Sequence, residues 1–83
     1  MSIVKYPLST EKTLKKLELD NALVFIVDKN ASKLEIKKEI ENLYKVKVTK
    51  VNTTIDAKNR KKAYITFSEE TPALDLATQL GLM

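Results

Sequence analysis

The 83 residues carry 15 lysines and arginines against 11 aspartates and glutamates, a net charge of +4, with no cysteine and no histidine. A chain of this length makes one domain that buries roughly 60 to 65% of the surface its unfolded form exposes, so there is room for one modest core and none for a deep cavity. Without cysteine there are neither disulfides nor thiolate metal sites, and without histidine the commonest general base and metal ligand are both missing, so neither a cofactor nor a metal is expected.

The string Met1 to Pro7 lacks the apolar run of a signal peptide. The longest uninterrupted apolar run, Ala22 to Val27, is six residues, against the roughly 20 that a bilayer span needs. A soluble, cytoplasmic protein without direct membrane insertion is expected. No repeat and no Gly/Ser/Pro-rich linker divides the chain, so residues 1–83 read as a single domain.

Ile3 to Tyr6 suits a short edge strand, ended by Pro7, which pushes Tyr6 toward an extended conformation. Ser9 or Thr10 can cap a helix running to about Leu17, with Glu11 in the first turn and Leu14 and Leu17 on one face. Asp20-Asn21 signals a turn. Ala22 to Val27 then reads as a central strand covered on both faces, because the run is continuous rather than alternating. Asp28 to Ala31 connects to a second helix, whose start is the capping box Ser32-Lys33-Leu34-Glu35 and whose buried stripe is expected at Ile36, Ile40 and Leu43. Tyr44-Lys45 closes it.

A hairpin begins near Lys47. Val51, Thr53 and Ile55 alternate with Asn52 and Thr54, and beyond the turn Asp56 to Arg60, Ala63, Ile65 and Phe67 alternate with Lys62, Tyr64 and Thr66. This places Val51, Ile55, Ala63 and Ile65 on the core side. Val46 and Val48 are out of phase with Val51, which calls for a bulge near Thr49 or a strand that starts later than Lys47. Thr71 as N-cap, Pro72 in the first helical position, the stripe Ala73, Leu76, Ala77 and Leu80, and Gly81 past the end define a last helix. The expected fold is α+β, a small sandwich with a mostly antiparallel sheet covered by helices.

Catalysis finds little to work with. Glu39 and Glu41 are two apart on a helix and do not face each other, Glu69-Glu70 reads as a solvated pair before the last helix, and a phosphate-cradling loop is excluded where Gly81 is the only glycine. The basic cluster is more informative. From Lys45 to Lys62 there are seven cations against a single acid, Asp56, a local charge of +6, so the rest of the chain nets to −2. Such a localised basic surface points to a polyanion. Asn52, Thr53 and Tyr64 lie beside it; Asn and Thr can bond phosphate, ribose or base edges, and Tyr64 can stack on a base or merely cover its cross-strand neighbour. Lys58, Asn59, Arg60, Lys61 and Lys62 complete the hairpin set. Helix lysines such as Lys33, Lys37 and Lys38 more often solubilise than bind, but Lys33 and Lys37 are counted with the candidate RNA contacts. An alternative is a small interaction domain whose basic hairpin meets an acidic protein.

Pro7-Leu8-Ser9-Thr10-Glu11-Lys12, Ser32-Lys33-Leu34-Glu35-Ile36-Lys37, Val48-Thr49-Lys50-Val51-Asn52-Thr53, Lys61-Lys62-Ala63-Tyr64-Ile65 and Ala73-Leu74-Asp75-Leu76-Ala77 resemble, in order and spacing, the large ribosomal subunit protein twenty-three family, archaeal type. The resemblance implies a β-(α)-β-α-β-β fold with a four-stranded antiparallel sheet plus the C-terminal helix. It also implies a structural protein that binds large-subunit ribosomal RNA near the exit of the polypeptide tunnel. There it would touch neighbouring ribosomal proteins and help to dock the signal recognition particle, chaperones or the translocation channel. Asn52, Thr53, Lys61, Lys62 and Tyr64 then become RNA contacts. Glu11, which by itself reads as an ordinary helix-start carboxylate, corresponds to the family's exposed acidic docking residue. Bacterial members carry a long hairpin insertion that enters the tunnel, whereas here only Asp56 to Arg60 separates the arms, and the sequence opens on its first strand where eukaryotic members often carry a long basic extension.

Overall fold

The computed structural model describes residues 3–81, so the first and last two residues of the expected domain lie outside the described residues. In chain order the elements are β1 (Val4–Pro7), α1 (Glu11–Asp20), β2 (Ala22–Val27), α2 (Lys33–Tyr44), β3 (Val48–Ile55), β4 (Lys61–Phe67) and α3 (Ala73–Gln79). The strands pair antiparallel in the order β1-β2-β4-β3, which makes β2 and β4 central. The expected α+β sandwich with a four-stranded antiparallel sheet is therefore present. All six residues of β2 are buried, as its continuous apolar run predicts.

Local chemistry sets the helix ends. Thr10 caps α1 and forms a reciprocal box with Thr13, and Ser32 does the same with Glu35 at α2. Helix α1 runs beyond Leu17 to Asp20 and stops where Asn21 turns left-handed (φ 53°). Lys45 ends α2 in the same way (φ 56°), and Gly81 (φ 76°) follows α3. At the start of α3 the structure departs from expectation. Thr71 is not the N-cap: Pro72 holds that position without a side-chain cap, and the Oδ1 of Asn21 instead accepts from the Ala73 N–H at 2.7 Å.

One apolar cluster fills the space between the sheet and the helices, taking Leu17 from α1, Ile36 and Ile40 from α2, and Ala73, Leu76 and Ala77 from α3 against Leu23, Phe25, Val27, Ala63, Ile65 and Phe67. Two expected members of this core are instead on the surface. Leu43 is 54% exposed, and the half-buried Tyr44 takes its place, stacking on Phe25 with ring centroids 6.3 Å apart. Around a helix of about 100° per residue, Tyr44 lies about 40° from Ile40 and Leu43 about 60° on the other side, so the sheet meets Tyr44. Ile55 is 53% exposed, because the end of the hairpin extends beyond the helical layer. Of the two alternatives left open at the start of β3, both features occur: the strand begins at Val48, after Lys47, and its register slips between Val48 and Lys50, a bulge at Thr49 that brings Val48 and Val51 both inward. Glu39 and Glu41 diverge, one accepting from the Ile3 N–H at 3.0 Å and the other from the Val48 N–H at 3.1 Å, so each fastens α2 to a strand.

Asn21 joins three elements through its side chain. Its Nδ2 shares two hydrogens among the carbonyls of Phe67, Ser68 and Thr71, which lie at 3.1 to 3.3 Å. Asn21→Ala should lower the free energy of unfolding by about 2 to 4 kcal/mol, combining part-buried groups left unpaired with an unfavourable left-handed alanine. Asn21→Gly, which tolerates the backbone, isolates the hydrogen bonds and should recover about 1 kcal/mol in chemical denaturation. Equal loss in the two variants would remove the backbone share.

Candidate nucleic-acid interface

Alternation along β3 and β4 divides the hairpin between two faces. Cross-strand partners share a face, so Val51, Thr53 and Ile55 join Ile65, Ala63 and Lys61 on the helix side, while Lys50, Asn52 and Thr54 join Thr66, Tyr64 and Lys62 on the other. On that second face β2 contributes Ala22, Val24 and Ile26, opposite Thr66, Tyr64 and Lys62, and β1 adds Tyr6 opposite Ile26. Helix α1 stands at the end of the sheet: Leu17 enters the core, and Lys16 reaches the second face with its ammonium 5.6 Å from the centre of the Tyr64 ring. Between them is an open groove of about 340 Å³ lined by Lys16, Asp20, Ala22, Lys50, Asn52, Tyr64 and Thr66.

Of the residues singled out from sequence, Asn52, Lys62 and Tyr64 are brought together on this face. Thr53 and Lys61 are not; both lie on the helix side, where Lys61 Nζ donates to the Ala31 carbonyl at 2.7 Å. Lys33 and Lys37 belong to α2, which packs on β3, with Lys33 exposed and Lys37 half-buried. Lys58 and Asn59 are exposed in the turn. Glu11 is exposed in the first turn of α1.

The turn is organised by Asp56. Its Oδ1 accepts from the backbone N–H groups of Lys58 and Arg60, each at 2.9 Å, and its Oδ2 receives the Arg60 side chain through Nε at 2.9 Å and Nη2 at 2.8 Å. Asn59 supplies the left-handed residue (φ 62°) that lets the chain reverse. Arg60 Nη1 also donates to the Tyr6 hydroxyl at 3.3 Å, so its guanidinium ties the tip of the hairpin to β1. These contacts hold the Asp56 carboxyl below its ordinary value, through the Arg60 backbone N–H above all, and raise Arg60, first through Tyr6 and then through Asp56.

Sequence reasoning left Lys16, Asp20, Lys50, Thr54 and Thr66 out of the site. Lys50, Thr54 and Thr66 were reachable, because they alternate in phase with Asn52, Lys62 and Tyr64. Lys16 and Asp20 carry no such signal, since only the tertiary placement of α1 puts them beside β4. Among the described residues no group of acidic side chains is arranged to hold a metal ion, and no helix is long and apolar enough to cross a membrane.

A family model described as ribosomal protein L23 matches residues 2–61. The chain belongs to the ribosomal protein L23 family. The large ribosomal subunit protein uL23 of Trypanosoma brucei brucei is 53% identical over 81 residues, which is 98% of this chain and 49% of that protein. The chain thus spans about half the length of this curated L23 relative. Family membership agrees with the resemblance read from the five sequence strings, whereas its archaeal character is not borne out, the relative being from a trypanosome.

The depressed Asp56 carboxyl has a signed consequence. A folded-state pKa below the unfolded one gives a stabilisation that is fully present above the ordinary value near 3.8 and is lost as pH falls through the folded value. Acidification should therefore loosen the turn. The amide resonances of Lys58 and Arg60 should titrate with a midpoint below 3.8, and Asp56→Asn should abolish that titration. A midpoint at or above the ordinary value would mean that the turn does not depend on the ionised carboxylate.

Proposed function

We propose that this L23-family chain is a structural, non-catalytic component of the large ribosomal subunit in the cytoplasm, acting as a single rRNA-binding domain over residues 1–83. The observation that carries the reading is the outer face of the β3–β4 hairpin, which is accessible while Ala22, Val24 and Ile26 of β2 on the same side are buried. Strands β2, β3 and β4 contain no acidic residue, and the face left uncovered by the main core presents Lys50 and Lys62 around Asn52 and Tyr64. A phosphate backbone meets there two cations, hydrogen-bonding side chains and an aromatic ring, the set that positions and recognises RNA.

In this reading Asn52, Lys62 and Tyr64 contact large-subunit rRNA from the open face, and Lys58 and Asn59 do so from the tip, with Arg60 holding the tip in shape. Thr53, Lys61, Lys33 and Lys37 supply contacts on the α2 side, so that RNA straddles the end of the hairpin. The site of action is near the polypeptide tunnel exit, beside neighbouring ribosomal proteins. There Glu11, on the exposed start of α1, offers a docking point for the signal recognition particle, chaperones or the translocation channel. These assignments of place and partner rest on the family. The Asp56 to Arg60 turn is short and internally bonded, which suits a surface anchor rather than a probe of the tunnel lumen.

Co-sedimentation with the large subunit is the direct test. A lysate pull-down separates this reading from an acidic-protein partner: ribosomal RNA that disappears with nuclease supports it, and a nuclease-resistant acidic protein overturns it. For an rRNA fragment, Lys62→Ala should weaken binding and flatten the logarithmic salt slope by roughly 0.7 to 0.9. Lys62 is a cleaner probe than Arg60 or Lys61, whose head groups already bond protein atoms. An unchanged slope would remove Lys62 from the phosphate contacts. Glu11→Ala should leave incorporation into ribosomes intact and lower recruitment of exit-site factors; lost incorporation would make the residue structural.

A further inference from the structure

The groove between α1 and the sheet contains more than a cationic surface needs. Lys16 and Lys50 stand at its sides, but Asp20 is there too, with its carboxylate 3.5 Å from Lys16 Nζ. Tyr64, Ala22, Asn52 and Thr66 complete the lining. A site built only for phosphate would not hold a carboxylate, which repels one at close range. An aromatic ring beside hydrogen-bonding side chains suits a nucleobase instead. At about 340 Å³ the groove falls in the range of small-ligand sites, although it is open to solvent.

We propose that this groove is a subsite for one unpaired RNA base, stacked on Tyr64, with the flanking phosphates on Lys50 and Lys62. The inference rests on the RNA-binding reading above and adds the form of RNA that the face takes: a single-stranded or bulged nucleotide rather than a continuous duplex. Three features carry it. First, the ring face of Tyr64 is met by the Lys16 ammonium at 5.6 Å, a cation–π contact that a flexible side chain can give up. A base takes that place on the ring while Lys16 keeps Asp20 or moves outward to phosphate. Second, Asn52 lies directly opposite Tyr64 on β3, so an amide that both donates and accepts stands at the edge of a stacked base. Third, Lys50 lies opposite Thr66 and Lys62 opposite Thr54, one on each side of the Asn52–Tyr64 rung along the sheet. Each lysine is about 6 to 7 Å from that rung along the strand, so a backbone following the hairpin meets a cation before and after the inserted base.

Oligoadenylate of about eight nucleotides serves as the probe, beside an abasic strand of the same length and an RNA duplex. With the unaltered chain, adding oligoadenylate should move the Tyr64 ring proton resonances upfield by the ring current of a stacked base; the abasic strand and the duplex should not. Tyr64→Leu should weaken oligoadenylate binding by roughly 5- to 150-fold while leaving the salt slope and the affinity for the abasic strand unchanged, and Tyr64→Phe should bind nearly as the parent does. Equal binding of oligoadenylate and the abasic strand, with no ring shift, would sink the base subsite. The RNA reading survives that result if Lys50→Ala and Lys62→Ala still flatten the salt slope. It falls with the subsite if neither lysine affects binding to any of the three probes. Because the ring shift is read on the parent chain, a Tyr64→Leu variant that fails to fold leaves the inference open to refutation.

Discussion

The α1 end of the interface depends on Asn21. Its backbone N–H closes α1 on the Lys16 carbonyl, its own carbonyl accepts from the Phe67 N–H, and its side chain bonds Phe67, Ser68, Thr71 and Ala73. One residue in a left-handed conformation thereby joins the end of α1, the end of β4 and the start of α3. Asparagine suits this joint twice: it tolerates positive φ better than most side chains, and its amide both donates and accepts. Because α1 is fixed at its C-terminal end, Lys16 and Asp20 are held beside Tyr64 rather than swinging with a frayed helix. The groove is thus a consequence of a tertiary clamp that contains no charged group.

The hairpin illustrates why charge density alone is a coarse guide. Seven cations between residues 45 and 62 look like one basic patch in the sequence, but pleating and side-chain bonding distribute them among different tasks. Lys61 is turned to the helix side and bonds the Ala31 carbonyl, just before the α2 cap. Arg60 is committed to Asp56 and Tyr6. Lys50 and Lys62 remain in phase with Asn52 and Tyr64 and face outward with them. A one-residue slip of register would exchange these roles, and the bulge at Thr49 fixes the phase by absorbing the mismatch between Val48 and Val51.

Most of the fold was legible because it is encoded by short-range chemistry. The Ser32/Glu35 box, the apolar run of β2, the alternation of the hairpin arms and the stripe of α3 each involve neighbours within a few residues, and each formed as their spacing predicts. Failures came at the ends of elements. Helical periodicity marks Leu43 as buried, but it does not say that the sheet has run out and that Tyr44 meets Phe25 instead. Alternation likewise marks Ile55 as inward without saying that no helix covers it. Position before Pro72 points to Thr71 as the cap of α3, while the acceptor that serves the Ala73 N–H comes from Asn21, 52 residues away. At the site the same distinction holds: phase along a strand could reveal Lys50 and Thr66, but nothing local could bring Lys16 to Tyr64.

The two acids near the interface do not cancel its attraction for RNA, for different reasons. Asp56 directs its oxygens into the turn, onto the N–H groups of Lys58 and Arg60 and the Arg60 side chain, so its charge is largely matched within its own loop. Asp20 pairs with Lys16 in an exposed contact, which has little strength of its own in water. With screening over about 8 Å at physiological salt, an approaching phosphate responds to charges at that range rather than to the net +4 of the chain. At the tip and along β4 those charges are Lys58 and Lys62, while at the groove mouth they are Lys50, Lys16 and one opposing carboxylate. At the groove mouth the two lysines outnumber the carboxylate, and one of them, Lys16, lies over the Tyr64 ring. A polyanion is therefore drawn to the groove by its lysines, and a base that stacks on Tyr64 takes the place of the Lys16 ammonium while its phosphates meet the cations around it.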